Sequence, residues 1–163
     1  MTDRSVHLSI ARLEGVQLSR LVVDFGELVG VARDTSDPAI GRLTPNAYPE
    51  DAEASLAFAD STRDDILDRR AADAATVRSA LDGFDVAVEA LTEEQALAHR
   101  EVIIPDADID AWLRTLTALR LVIASRLEIT DDDQYDPEDP RYDVYAWLGY
   151  RLEGLIQAAD DRD

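Results

Sequence analysis

Cysteine is absent from the 163 residues, and so is lysine. The first absence excludes disulfides, thiolate nucleophiles and zinc–thiolate sites. The second leaves 16 arginines as the whole cationic complement, set against 35 aspartates and glutamates, for a formal charge of -19. So acidic a body repels nucleic-acid phosphates at long range, which argues against nucleic-acid binding. Histidine is scarce as well: His7 and His99 sit in unrelated contexts, without HExxH and without a second histidine at ligand spacing. No P-loop, GxGxxG or GxSxG occurs. Carboxylate pairs are everywhere in such a chain and therefore point nowhere, so neither a catalytic residue, a cofactor nor a metal is assigned, and the expectation is a protein that is not an enzyme. No apolar run approaches the length of a membrane span, and the first residues, MTDRSVHLSIARLEG, lack an apolar signal core. The expected address is the cytoplasm, with no membrane partner.

What is present is apolar content of 46% in a length that suits one domain with a real core. Val6, Leu8 and Ile10 alternate, then Val16 and Leu18 after Glu14-Gly15, a pattern that predicts two short strands in a hairpin. Ser19 is placed to cap a helix carrying Leu21, Val22, Phe25, Leu28 and Val29 on one face. The Pro-, Gly- and Asp-rich stretch from Asp34 to Pro49 reads as a long loop. A short helix follows over Glu50 to Ala59, and a longer one starts near Thr62, with Asp65 completing an approximate capping box and Gly83 as its stop. Thr92 with Gln95 signals a helix over Glu93 to Ala98, and Glu101 to Pro105 reads as a strand.

Trp112, Leu116, Leu119, Ile123 and Leu127 recur at helical spacing, and Leu113, Leu121 and Val122 widen that face enough to place the helix mid-bundle. Asp139-Pro140 opens the last helix with a cap and a first-position proline, and Val144, Leu148, Leu152, Leu155 and Ala159 form its inner stripe. Two segments, VQLSRLVVDFGELVG and VIIPDADIDAWLRTLTALRLV, share a strand-break-helix pattern that suggests two β-α units with paired strands.

Four blocks, RLTPNAYPEDAEASLAF, DDILDRRAAD, AWLRTLTALRLVIASRL and VYAWLGYRLEGLI, resemble in order those of the actinobacterial family catalogued as domain of unknown function 2017. The likeness spans residues 36–82 and 101–156. Relative to the family pattern, Ala59-Asp60 stands where a basic pair follows the phenylalanine, Ala124 stands where a glycine does, and residues 83–100 read as an expansion. The resemblance implies a place near ClpS, the adaptor of the Clp protease, beside whose gene family members tend to lie. Some members are labelled transcriptional regulators.

Tyr48 is held extended between Pro45 and Pro49, so with Pro49, Asp51 and Phe58 it forms a candidate partner surface; the blander reading, a ring that packs over the bundle mouth, is preferred. Arg114, Arg120 and Arg126 scatter around their helix rather than forming one basic stripe. Arg120, flanked by Leu119 and Leu121, is expected in a structural ion pair with Asp24 or Glu27; anion binding is the other reading. In the acidic run, Asp131 and Asp133 have calcium-loop spacing, but Asp136 and Tyr142 stand where glycine and glutamate are required, so the EF-hand reading fails.

The resulting expectation is a mainly α (α+β) single domain over residues 1–159, a helical bundle of five or six helices with a small two- or three-stranded sheet made from the N-terminal hairpin and Glu101 to Ile104, and a frayed acidic tail over 160–163. Its core would hold Leu21, Phe25, Ile66, Val77, Trp112, Leu116, Leu119, Ile123, Trp147, Leu148 and Leu152. The expected function is protein interaction or regulation, with ClpS or its protease as the implied partner. A transcriptional regulator and an uncharacterised enzyme remain the alternatives, and the apolar surplus of the last helix leaves self-association open.

Overall fold

Alternating burial along Val6 to Ile10 and along Val102 to Ile104 puts both segments in one antiparallel sheet. In this computed structural model, strand β1 (Ser5–Ala11) pairs with β2 (His99–Pro105), with Ser5 opposite Pro105 and Ala11 opposite His99. The structure describes residues 4–44, 50–129 and 138–161. The expected local hairpin is therefore corrected, because β1 finds its partner some ninety residues away. Val16 and Leu18 lie instead in helix α1 (Arg12–Val29), where Gly15, Leu18, Ser19, Val22, Phe25 and Val29 are buried at helical spacing. Ser19 is part of that buried stripe and caps nothing.

Gly15 looked like a turn residue but serves close packing. A Cβ there would lie 2.2 Å from Cδ1 of Phe84, whose buried ring fills the space. Phe84 belongs to a 3-10 turn that follows α3 (Ala52–Ala80). Helix α3 also differs from expectation, since one 29-residue helix replaces the two that were anticipated. No proline or glycine interrupts its sequence, and the Thr62–Asp65 pair sits inside it. Asp51 supplies the cap, accepting a hydrogen bond from the Ala54 amide at 3.0 Å. The side chains of residues 55 and 58–61 are outside the description.

The loop expected from Asp34 onward contains a short helix, α2 (Pro38–Leu43). Its signature was in the sequence: Asp37 accepts from the Ala39 amide at 2.9 Å, and Pro38 occupies the first turn. Ala39, Ile40 and Leu43 are buried, and α2 packs against α5 (Ile109–Arg126). Helix α4 (Glu93–Leu97) begins at the anticipated capping box: Gln95 N–H donates to Thr92 Oγ1 at 3.2 Å and Thr92 N–H to Gln95 Oε1 at 3.0 Å. Helix α6 (Pro140–Asp160) begins at its Asp139 cap.

Helix α5 is the central rod, touching α1, α2, α3 and α6. Trp112, Leu116 and Leu119 are enclosed within the core, as are Phe25, Val77 and Leu148. Leu21, Ile123, Trp147 and Leu152 are only half-buried and pack around that centre, and Ile66 is half-buried without joining it. The architecture is mainly α with one two-stranded sheet, and two β-α units do pair their strands, β1-α1 with β2-α5. The first unit starts at Ser5 rather than at Val16.

Two predictions follow from this packing. Gly15→Ala should destabilise the protein by about 1–3 kcal/mol in denaturant unfolding, because the methyl group meets the Phe84 ring. Gly26→Ala, in the same helix with nothing within 4 Å of the added Cβ, should stabilise it by about 0.5–1 kcal/mol. Asp37 carries the second. Its two carboxylate oxygens accept from Arg126 at 2.7 Å each, and that bond together with the Ala39 amide holds its carboxyl below the usual carboxylate pKa. Asp37→Ala should cost about 1–2 kcal/mol through the lost cap. Asp37→Asn retains a cap and should cost about 1 kcal/mol or less. A carboxylate whose pKa is lowered on folding stabilises above its unfolded value, about 3.9. The Asn variant's deficit should therefore be complete near pH 7 and vanish as pH falls below about 4.

Candidate functional site

Of the residues singled out from sequence as a partner surface, Tyr48 and Pro49 lie outside the described residues, as does the side chain of Phe58. Asp51 is occupied in capping α3. The expected pairing of Arg120 with Asp24 or Glu27 is corrected: both acids are exposed on α1, while the guanidinium lies 4.2 Å from the centroid of the Tyr145 ring and its Nε donates to the Tyr145 carbonyl at 3.4 Å. Tyr145 and Gly149 are one turn apart on α6, and a Cβ on Gly149 would come within 3.0 Å of Arg120 Nη2. An aromatic face and a missing side chain thus form a slot for a planar cation. Asp131 and Asp133 are outside the described residues.

The half-buried members of the expected core point to a different surface. Leu21 on α1 and Val144 and Trp147 on α6 line a groove of about 630 Å³, with Glu14, Gln17, Arg20 and Asp143 around it and Pro140 at one end. Helical spacing builds it: Glu14, Gln17 and Leu21 share one face of α1, and Pro140, Asp143, Val144 and Trp147 one face of α6. Arg151 fastens the two helices, donating from Nη2 to Glu14 and from Nη1 to the Ser9 carbonyl at 3.4 Å. Trp147 Nε1 is enclosed and finds no acceptor. Sequence reasoning placed Leu21 and Trp147 in the core, because apolar periodicity does not distinguish a face covered by a neighbouring helix from a face that helix leaves open.

A match to the family model described as Domain of unknown function (DUF2017) runs over residues 1–159. The chain belongs to that family. The DUF2017 match is wider than the four sequence blocks that suggested it, taking in β1 and the segment 83–100 with its 3-10 turns and α4. No curated protein matches the chain. No solved structure matches it either.

The DUF2017 sheet also joins residues that the sequence kept apart. Register places Ser5, His7, Ser9, His99, Glu101 and Ile103 on the outward face. His7 Nδ1 is 2.8 Å from Glu101 Oε1, and its Nε2 is 3.1 Å from Ser5 Oγ. With Nδ1–H donating to the carboxylate, Nε2 is left to accept from the hydroxyl, which is the connectivity of a general-base pair and its orienting acid. Ser9 Oγ makes a similar 3.1 Å contact with His99 Nδ1. About half of the His7 and Glu101 side-chain surface is open to water, however. Water exclusion, which gives such a relay its power, is missing. Among the described residues, no helix is long and apolar enough to cross a membrane.

Proposed function

We propose that this DUF2017 chain is a non-enzymatic docking module with a regulatory role in the cytoplasm, and that it receives a basic, partly apolar segment of another protein in the α1–α6 groove. The groove itself carries this reading. Leu21, Val144 and Trp147 offer an apolar floor, and Asp143 and the carboxylate-rich surface beyond offer the opposite charge to a basic partner. Complementary fields of this kind speed encounter and fix register, while apolar contact supplies lifetime. The family resemblance makes the Clp adaptor ClpS, or its protease, the partner to try first.

Titration of the purified adaptor into the full chain by calorimetry tests both parts. Saturable binding that weakens at least ~10-fold in Gln17→Arg/Asp143→Arg, two exposed positions that leave the core untouched, supports the groove. Adaptor binding indifferent to that double charge change would exclude the groove, and no binding at all would remove this partner. The enzymatic alternative rests on Ser5, His7 and Glu101. If it holds, hydrolysis of an activated ester should fall to the background rate in Ser5→Ala; equal rates for the two proteins would dismiss it.

A further inference from the structure

A second concavity, of about 370 Å³, lies between α5 and α3. Ile66, Arg69, Arg70 and Asp73 enter it from α3, at positions i, i+3, i+4 and i+7 of one helical face; Leu113, Arg114, Thr117 and Leu121 enter it from α5. In a chain of charge -19 this pocket has the opposite balance, three guanidinium groups to one carboxylate.

That carboxylate is already committed. Asp73 is buried, and both its oxygens are engaged by Arg114, Oδ2 accepting from Nε at 2.8 Å and Oδ1 from Nη2 at 3.0 Å. Arg70, half-buried beside this pair, has no carboxylate of its own among the described residues. Its Nη2 donates to the Leu43 carbonyl at 3.1 Å, and its Nε is enclosed with no acceptor. Removal from water pushes the Arg70 pKa down; Asp73 pulls it back up, and Arg114 lowers it again. A cation in that position is under-compensated, and an incoming anion would meet less desolvation cost than at an exposed arginine.

The walls choose between anions. Ile66, Leu113 and Leu121 make most of the lining apolar, which disfavours a strongly hydrated phosphate dianion and favours a single charge on a hydrocarbon body. A carboxylate also matches the planar fork of a guanidinium with two parallel hydrogen bonds. The volume falls in the range of small-molecule sites. From these features we infer that the α3–α5 pocket is a binding site for a monocarboxylate with an apolar body, its carboxylate beside Arg70 and its hydrocarbon against Ile66, Leu113 and Leu121. The inference is independent of the α1–α6 groove. The same chemistry is offered by a free aliphatic acid and by the C-terminus of a chain ending in an apolar residue.

Full-length chain is titrated with hexanoate, N-acetyl-leucine, hexan-1-ol and inorganic phosphate at constant ionic strength, following backbone amide NMR shifts and Tm. Expected are saturable shifts clustered in residues 66–73 and 113–121 with hexanoate or N-acetyl-leucine, and a rise in Tm by mass action. Whichever acid binds tighter names the source, free acid or chain terminus. Hexan-1-ol, without the charge, and phosphate, without the hydrocarbon, should bind at least ~10-fold more weakly. Arg70→Gln should weaken acid binding by ~10-fold or more. Should that variant misfold, Thr117→Phe, at an exposed lining position whose hydroxyl bonds the Leu113 carbonyl and not Asp73 or Arg114, fills the cavity and should abolish binding with the fold retained. Shifts scattered over the surface, acid binding undiminished by a substitution that leaves the chain folded, or phosphate binding as tightly as hexanoate would each overturn the assignment.

Discussion

Withdrawal of the α5 apolar face from water is the interaction on which the other elements depend. Trp112, Leu116 and Leu119 are covered on several sides by α1, α2, α3 and α6, and each such side chain contributes about 1.5–3 kcal/mol relative to exposure. This attraction has an opponent spread over the whole surface. A net charge of -19 repels itself and favours expansion, so the helices hold together only while their inward faces stay apolar and their acids stay outside. Asp73 is the one buried carboxylate among the described residues, and both its oxygens are held by the two prongs of Arg114.

Arginine as the sole cation has a structural consequence. A guanidinium can bridge two acceptors in a plane, which an ammonium cannot do, and the chain uses this repeatedly to join elements. Arg33, following α1, reaches Asp64 and Asp68 on α3 while also donating to the Val29 carbonyl. Arg126 joins α5 to the cap of α2, and Arg151 joins α6 to α1. Arg120 settles on an aromatic ring, because its position on α5 faces α6 and not the acids of α1. Exposed pairs of this type add little individually. Their effect is orientational, since they hold amphipathic helices in one rotation about their axes and so decide which residues face the gaps.

Both concavities arise from those gaps. Helices packed around a rod leave grooves wherever two neighbours diverge, and the chemistry of each groove is whatever the flanking faces present. Between α1 and α6 that is an apolar floor within an acidic exterior; between α3 and α5 it is an arginine, without a carboxylate of its own among the described residues, above a hydrocarbon wall. Opposite charge preferences on one small domain mean that two ligands of different sign need not compete. The two sites share no lining helix, α1 and α6 forming one and α3 and α5 the other, although α5 packs against both α3 and α6.

Helix identity was legible wherever a local signal existed. Thr92 with Gln95 and Asp139 with Pro140 mark helix starts through bonds to amides two or three residues on, and the periodicity of α5 announces its own burial. Asp37-Pro38 carried the same kind of signal, obscured by the turn-forming residues around it. Reading failed where the deciding contact was distant. Glu14-Gly15 looks like a turn until Phe84 is placed against it, and the strand at Ser5–Ala11 looks like half of a hairpin until β2 arrives. By itself, then, the order of residues determined the helical character, the acidic exterior and the identity of the central rod, since these follow from propensity, charge and spacing along one segment. Tertiary structure alone decided the register of β1 on β2, the seat of Arg120, the meeting of His7 with Glu101 and the opening of both grooves, because each depends on the distance between side chains that the chain separates by tens of residues.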